Sequence, residues 1–186
     1  MACPVVLDAC VLIPMPVVDI LLRLGSARQF RPLWSEEILD EIERNLVAKL
    51  NVPPAKARRR LTAMRRCFPD ALVRDYESLI PAMTNEPKDR HVLAAAVRSG
   101  AELIVTFNRK DFPAESVAPY DLDVRSPDEF LLDQLNLDAD VVVAAVRGIL
   151  RDAQHPAMTR ERYLAGLSRC GLSVFARATA GHMSER

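Results

Sequence analysis

Two short runs of β-branched residues, Pro4-Val-Val-Leu7 and Leu103-Ile-Val-Thr-Phe107, constrain the fold more than any other feature. Neither alternates apolar with polar positions, so each is buried on both faces, as strands inside a parallel sheet are. Both are followed at once by polar residues, Asp8 after the first and Asn108 after the second. Weaker runs over 30–34, 71–73 and 122–125 read as further strands. Helical patterns fall between them, over 16–24 (stopped by Gly25), 36–50, 55–67 and 88–99, with another over 127–135. Strands alternating with helices imply an α/β fold, a central mostly parallel sheet with helices on both faces. Past residue 136 no strand signal remains, and helical stretches cover 140–151 and 159–170. The expectation is an α/β unit over 1–136 with a helical C-terminal extension over 137–186.

Apolar residues make up 49% of the 186 and charged residues 27%, enough for a packed core. Lys and Arg number 25, as do Asp and Glu, so the formal charge is zero. That excludes a protein that grips nucleic acid or an anionic membrane by bulk charge. A polyanion would have to be held by a local patch or through metal ions. The four cysteines form no C-x-x-C pair, which argues against structural zinc or a disulfide framework; Cys3, Cys10 and Cys67 read as small core residues. The first residues have no basic segment of a secretory leader, and no apolar stretch approaches the ~20 residues of a membrane span. A cytoplasmic location with no membrane association is expected.

Ligands of open α/β sheets bind beyond the carboxyl ends of the strands. Asp8, and Asn108 with Asp111, fall at that edge. An Asp there also serves as a turn or cap residue. On a helix over 88–99, at 100° per residue, Val92, Leu93, Ala96 and Val97 cluster round Asp89, which puts that acid on the apolar face. A first-turn acid suits the helix dipole but has no such reason to face the sheet. His91, Arg90 and Arg98 fall on the solvated side. In the helix over 36–50, Ile38, Leu39, Ile42, Leu46 and Leu50 form the apolar stripe. Glu41 lies at its edge, Glu37 farther round as the substitute candidate, and Glu36, Asp40 and Glu43 point to solvent.

Carboxylates gathered from several elements repel one another unless hard cations sit among them. Oxygen ligation suits Mg²⁺ or Mn²⁺, which can support in-line displacement at a phosphodiester. That is nuclease chemistry. Phosphoryl transfer through an Asp nucleophile is a poorer fit, because Cys10 stands where phosphatases of the haloacid dehalogenase type want a second Asp.

Val5-Val-Leu-Asp8, Ser35 with Ile38-Leu-Asp-Glu41, Pro87-Lys-Asp89-Arg-His-Val-Leu-Ala94 and Val105-Thr-Phe-Asn-Arg-Lys-Asp-Phe-Pro113 together resemble the PIN-domain nucleases. Within these the chain is most similar to the VapC-like toxins of bacterial toxin–antitoxin pairs, over about residues 3–136. The resemblance implies a three-layer α/β/α fold and a Mg²⁺- or Mn²⁺-dependent endoribonuclease acting on RNA. It also implies a cognate antitoxin that blocks the site, and a homodimer. By position, Asp8, Glu41 and Asp89 match the first three acids of the family, as catalytic residues and metal ligands. The commoner pattern places the fourth acid directly after Val-Thr-Gly, where this chain has Asn108. Asp111 would then supply the charge, and Asn108 can orient a ligand as a neutral acceptor. The alternative is a degenerate PIN domain that binds RNA or protein without cutting.

Lys56, Arg58, Arg59, Arg60, Arg65 and Arg66 make a basic patch, by default a solvated helix face, of which Arg58 and Arg59 are candidate phosphate contacts. Arg109 and Lys110, beside the expected site, are better placed for that role. Trp34 ends an apolar strand and reads as core rather than as a base-stacking platform. His155 and His182 have no partner spacing.

Overall fold

A computed structural model describes residues 2–153 and 157–184, so His155 lies outside the described residues. The strands among these residues are β1 (Pro4–Leu7), β2 (Arg31–Ser35), β3 (Leu72–Val73), β4 (Leu103–Val105) and β5 (Asp123–Arg125). They pair in the order β3-β2-β1-β4-β5, every pair parallel. The order reverses between β1 and β4, whose registered ends are Leu7 and Val105. Such a switch point leaves a crevice at the carboxyl edge.

The helices are α1 (Met15–Ser26), α2 (Glu36–Ala48), α3 (Pro54–Cys67), α4 (Arg90–Ser99), α5 (Ala114–Val117), α6 (Pro127–Leu137), α7 (Ala139–Asp152), α8 (Arg160–Arg169) and α9 (Ser173–Ser184). Crossovers between parallel strands are right-handed as a rule, and in a sheet of this order that rule carries α1 to α3 on one face and α4 on the other, the three-layer α/β/α arrangement. Local chemistry explains the boundaries. Ser35 leaves the sheet and its hydroxyl accepts from the Ile38 amide at 3.2 Å, so α2 starts directly at the strand's carboxyl end. Ser126 and Glu129 form a reciprocal capping box at α6. Trp34 is fully buried, edge-on to Phe68 at 5.7 Å, as a core residue.

Several expectations need correction. Helix α1 runs through Gly25 to Ser26; the glycine is there for close approach, since a Cβ would stand 3.0 Å from Pro32 Cγ. β4 stops at Val105, because the Thr106 hydroxyl turns to Asp8. Leu50 lies beyond the end of α2 and is 55% exposed. Cys67 is exposed, and all four thiols are free. Residues 87–89 form a 3-10 turn before α4. His91 is buried, not solvated, because α4 is covered on every side over 91–96. Helix α9 falls within the expected helical extension, beyond the two stretches assigned there.

The extension packs into the same core as the sheet layers: Val142, Val146, Leu167 and Phe175 join one cluster with Val6, Ile20 and Phe130. The Tyr163 hydroxyl donates to the Pro16 carbonyl at 3.0 Å, and Asp128 of α6 accepts from the Phe175 amide of α9 at 2.8 Å. Among the described residues no helix is long and apolar enough to cross a membrane.

Candidate active site

At the switch point a cleft of about 570 Å³ is lined by Asp8 from the end of β1, Glu37 and Glu41 from α2, Asp89 and His91 from the start of α4, and Asn108 after β4. Four of the expected residues, Asp8, Glu41, Asp89 and Asn108, thus meet in one place although they come from four segments. The reason is topological: β1, α2, the start of α4 and the turn after β4 all reach the same carboxyl edge.

Asp8 is 2% exposed and tied to the neighbouring strand. Its amide donates to the Val105 carbonyl at 3.1 Å. The Thr106 hydroxyl and the Cys10 thiol donate to its Oδ2 at 2.6 and 3.1 Å. The Asn108 amide in turn donates to Thr106 Oγ1 at 3.0 Å, so Thr106 fixes the acid and the turn together. Burial and the Asp8 charge drive the Cys10 thiol far above its usual range, so it stays protonated as a donor.

Asp89 is 5% exposed, and its Oδ2 is enclosed with no hydrogen-bond partner. Burial, then the Asp8 charge, push its pKa up to about 7. Glu41 is raised for the same two causes in the same order. Asp89 and Glu41 thus hold their protons more tightly than in water because of burial and because they share the cleft with the Asp8 carboxylate.

Asp111 is not on the cleft wall. It is buried behind Lys88, whose ammonium stands 3.0 Å from Asp111 Oδ2 and 3.7 Å from Asp89 Oδ2. The Lys88 hydrogen bond holds Asp111 below the usual carboxylate range. Lys88, which carried no expectation from the sequence, therefore supplies a cation on the Asp89 side, with its side chain largely exposed. The phosphate candidates are scattered. Arg109 pairs with the capping-box carboxylate Glu129 at 2.9 Å, Lys110 is exposed, Arg58 faces Glu43 at 3.6 Å, and Arg59 is exposed on α3; none lines the cleft. The cations that do are Lys88, Arg44 and Lys49. Arg44 of α2 and Lys49 just past its end follow Glu37 and Glu41 in the sequence, a signal legible once Glu37 is placed in the site.

The residues fit a divalent cation by chemistry: convergent carboxylates, an orphaned buried oxygen on Asp89, and Asp8 bonds that fall on Oδ2 alone. Among the described residues no three His, Cys, Asp or Glu side chains already stand close enough to clasp an ion, so Glu41, half-buried on a long side chain, would have to swing in.

A parallel five-stranded sheet with this acidic switch-point cleft defines a class, and comparison with known families agrees. The PIN domain family matches residues 4–110, more than half the chain, which therefore belongs to the PIN-domain family. Residues 127–180 match a second family, described as the VapC50 C-terminal domain. Among curated proteins the chain is similar to one from Mycobacterium tuberculosis named "Putative ribonuclease VapC50", 47% identical over 92 residues. Those residues are 50% of this chain and 54% of that protein, so the chain spans about half the length of the curated relative it matches. No solved structure matches.

Proposed function

We propose that the protein is an endoribonuclease that hydrolyses RNA phosphodiester bonds with Mg²⁺ or Mn²⁺, the toxin of a toxin–antitoxin pair. The observation that carries this reading is Asp89: a buried carboxylate whose Oδ2 has no hydrogen bond and meets only the Lys88 ammonium at 3.7 Å, set beside Asp8 in an open cleft, is costly to the fold and makes sense as half of a cation site. The name of the VapC50 relative supports the same activity.

Asp8, Glu41 and Asp89 would hold the cation, which supplies positive charge to the phosphodiester oxygens when bound. The chain's own groups do the rest. Thr106 and Cys10 hold Asp8 in a single orientation. Arg44 and Lys49 at the rim meet the flanking phosphates. Asn108 orients a water or a ribose hydroxyl. Lys88 offsets the Asp89–Asp111 charge, so Asp111 acts through Lys88 rather than on the substrate. Residues 1–136 are the catalytic unit and 137–186 its helical extension. The partners are RNA and a cognate antitoxin, with a homodimer in the cytoplasm.

The test is cleavage of mixed RNA. Fragments should form with Mg²⁺ or Mn²⁺ and none with EDTA, and Asp89→Asn should abolish cleavage while keeping the fold. Undiminished cleavage in Asp89→Asn would refute the assignment. Tight RNA binding without cleavage in any divalent metal would favour the degenerate, binding-only alternative, which the Asn108 substitution and the Lys88-paired Asp111 favour.

A further inference from the structure

His91 has no role in the chemistry derived so far, yet it is the most enclosed side chain of the cleft after the two aspartates. Its side chain is 7% exposed, and Nδ1 is buried with no hydrogen-bond partner. The ring lies between two carboxylates one turn apart on α2: Nδ1 is 3.9 Å from Glu37 Oε2, and Nε2 is 3.9 Å from Glu41 Oε2. Both distances are too long for hydrogen bonds. A histidine kept for structure would make at least one bond here, and a histidine kept for bulk would be replaced by an apolar ring at lower cost.

We infer that His91 is a nitrogen ligand of the divalent-metal site, with Nε2 on the ion beside Glu41 and Nδ1–H directed to Glu37. The inference rests on the reading of Asp8, Glu41 and Asp89 as metal-binding. Metal-ligating histidines commonly donate their second nitrogen to a carboxylate, which fixes the tautomer and aims the other lone pair. Glu37 is placed for that second position. Its side chain is long and 48% exposed, close enough that a small rotation makes the bond, and the Tyr76 hydroxyl approaches its Oε2 at 3.5 Å. Glu37 and Glu41 then divide the work, one orienting the ring and one sharing the ion. A mixed nitrogen and oxygen donor set favours Mn²⁺ over Mg²⁺, which prefers oxygen alone.

Pulsed electron paramagnetic resonance of the full chain with bound Mn²⁺ decides the matter without measuring activity. Protein labelled with ¹⁵N at histidine alone should show a ¹⁵N coupling to the bound ion. The coupling should persist in the His155→Gln/His182→Gln double variant, which leaves His91 as the single histidine of a chain that has three. It should vanish in His91→Asn. Glu37→Gln should keep the coupling and weaken Mn²⁺ binding by about 10–100-fold. Mn²⁺ bound without ¹⁵N coupling, or with coupling that survives in His91→Asn, overturns the ligand while leaving the acidic site standing. Equal affinity in Glu37→Gln overturns the orienting role. No Mn²⁺ bound to the wild-type chain at millimolar concentration overturns the acidic site and the histidine together. The labelled wild-type and double-variant proteins carry the decision, so a poorly folded His91→Asn does not spoil it.

Discussion

The Asp89 carboxyl is buried against Asp8 and holds its proton up to a pKa of about 7, far above its ordinary 3.8. A group whose folded pKa is raised binds its proton better in the native state. Native stability therefore loses ground as pH rises through the interval from about 4 to about 7, and the penalty is complete above it. Asp89→Asn removes that penalty. The variant should melt higher than wild type at pH 8, by on the order of a few kcal/mol in stability, and should match it near pH 4. Mn²⁺ should reverse the order at pH 8, because it stabilises the wild type by binding the native state and finds no partner in the variant. Equal melting temperatures at both pH values, with and without Mn²⁺, would show that the carboxylate is neither strained nor used. Asp8 and Asp89 were legible in the sequence because a strand end and an apolar helix face are local patterns. His91 was not, because the helical wheel gave α4 one buried face. The run Ala94-Ala95-Ala96, with no polar residue between His91 and Val97, was the available sign of a helix covered all round.

At the scale of elements, the cleft depends on how α2 and α3 are held against the end of β1. Helix α2 presents Glu37 and Glu41 inward, while Glu36 and Glu43 turn outward to Arg65 and Arg58 of α3. The outward pair agrees with the stripe read from the sequence. Glu37, read as the substitute for Glu41, lines the cleft together with it, because α2 begins so close to the sheet edge that its first turn overhangs the crevice. Glu41→Gln should still cost much more cleavage rate than Glu37→Gln, since one carboxylate shares the ion and the other acts through His91. The reverse ranking would mean that the phase of α2 is misjudged. Arg60 is a second element-level device. Read from the sequence as part of a solvated basic face, it instead donates both Nη groups to the carbonyls of Leu12 and Ile13, just after Asp8. Arg60→Met leaves those carbonyls without their donors and should cost about 1–3 kcal/mol in urea unfolding. Metal affinity should fall too, as the Asp8 turn loosens. Stability within about 0.5 kcal/mol of wild type would reduce Arg60 to a surface charge.

At the scale of the molecule, the extension and the sheet unit are one packing problem. Their sequence signatures differ sharply: strands and helices alternate up to about residue 136 and helices alone follow. The two matched families likewise cover 4–110 and 127–180. Packing ignores that border. Helix α6 touches both α7 and α9, α1 is covered by α7 and α8, and Arg23 of α1 pairs with Asp152 at the end of α7 at 2.8 Å. Helices α7 and α8 were legible because their apolar residues recur at helical spacing. Helix α9 was not, because its short side chains, Ala176, Ala178 and Ala180 with Thr179 and Gly181, carry almost no periodic signal; it is ordered by Asp128 at its first turn and by Phe175 in the shared core. The consequence is measurable. A chain ended after residue 136 exposes the inner faces of α1 and α6 and loses the buried side chains Val142, Val146, Ile149, Tyr163, Leu167 and Phe175. The faces of α1 and α6 that lose this cover then stand in water, and at ~1.5–3 kcal/mol for each large side chain left exposed the loss is comparable with the ~5–15 kcal/mol by which a domain of this size is stable. The truncated chain should therefore show no cooperative melt by circular dichroism and should aggregate on size exclusion, although every acid of the cleft is present. A cooperative transition within a few degrees of the full chain would show instead that the extension is an appendage, and would move the explanation for its apolar faces to a partner.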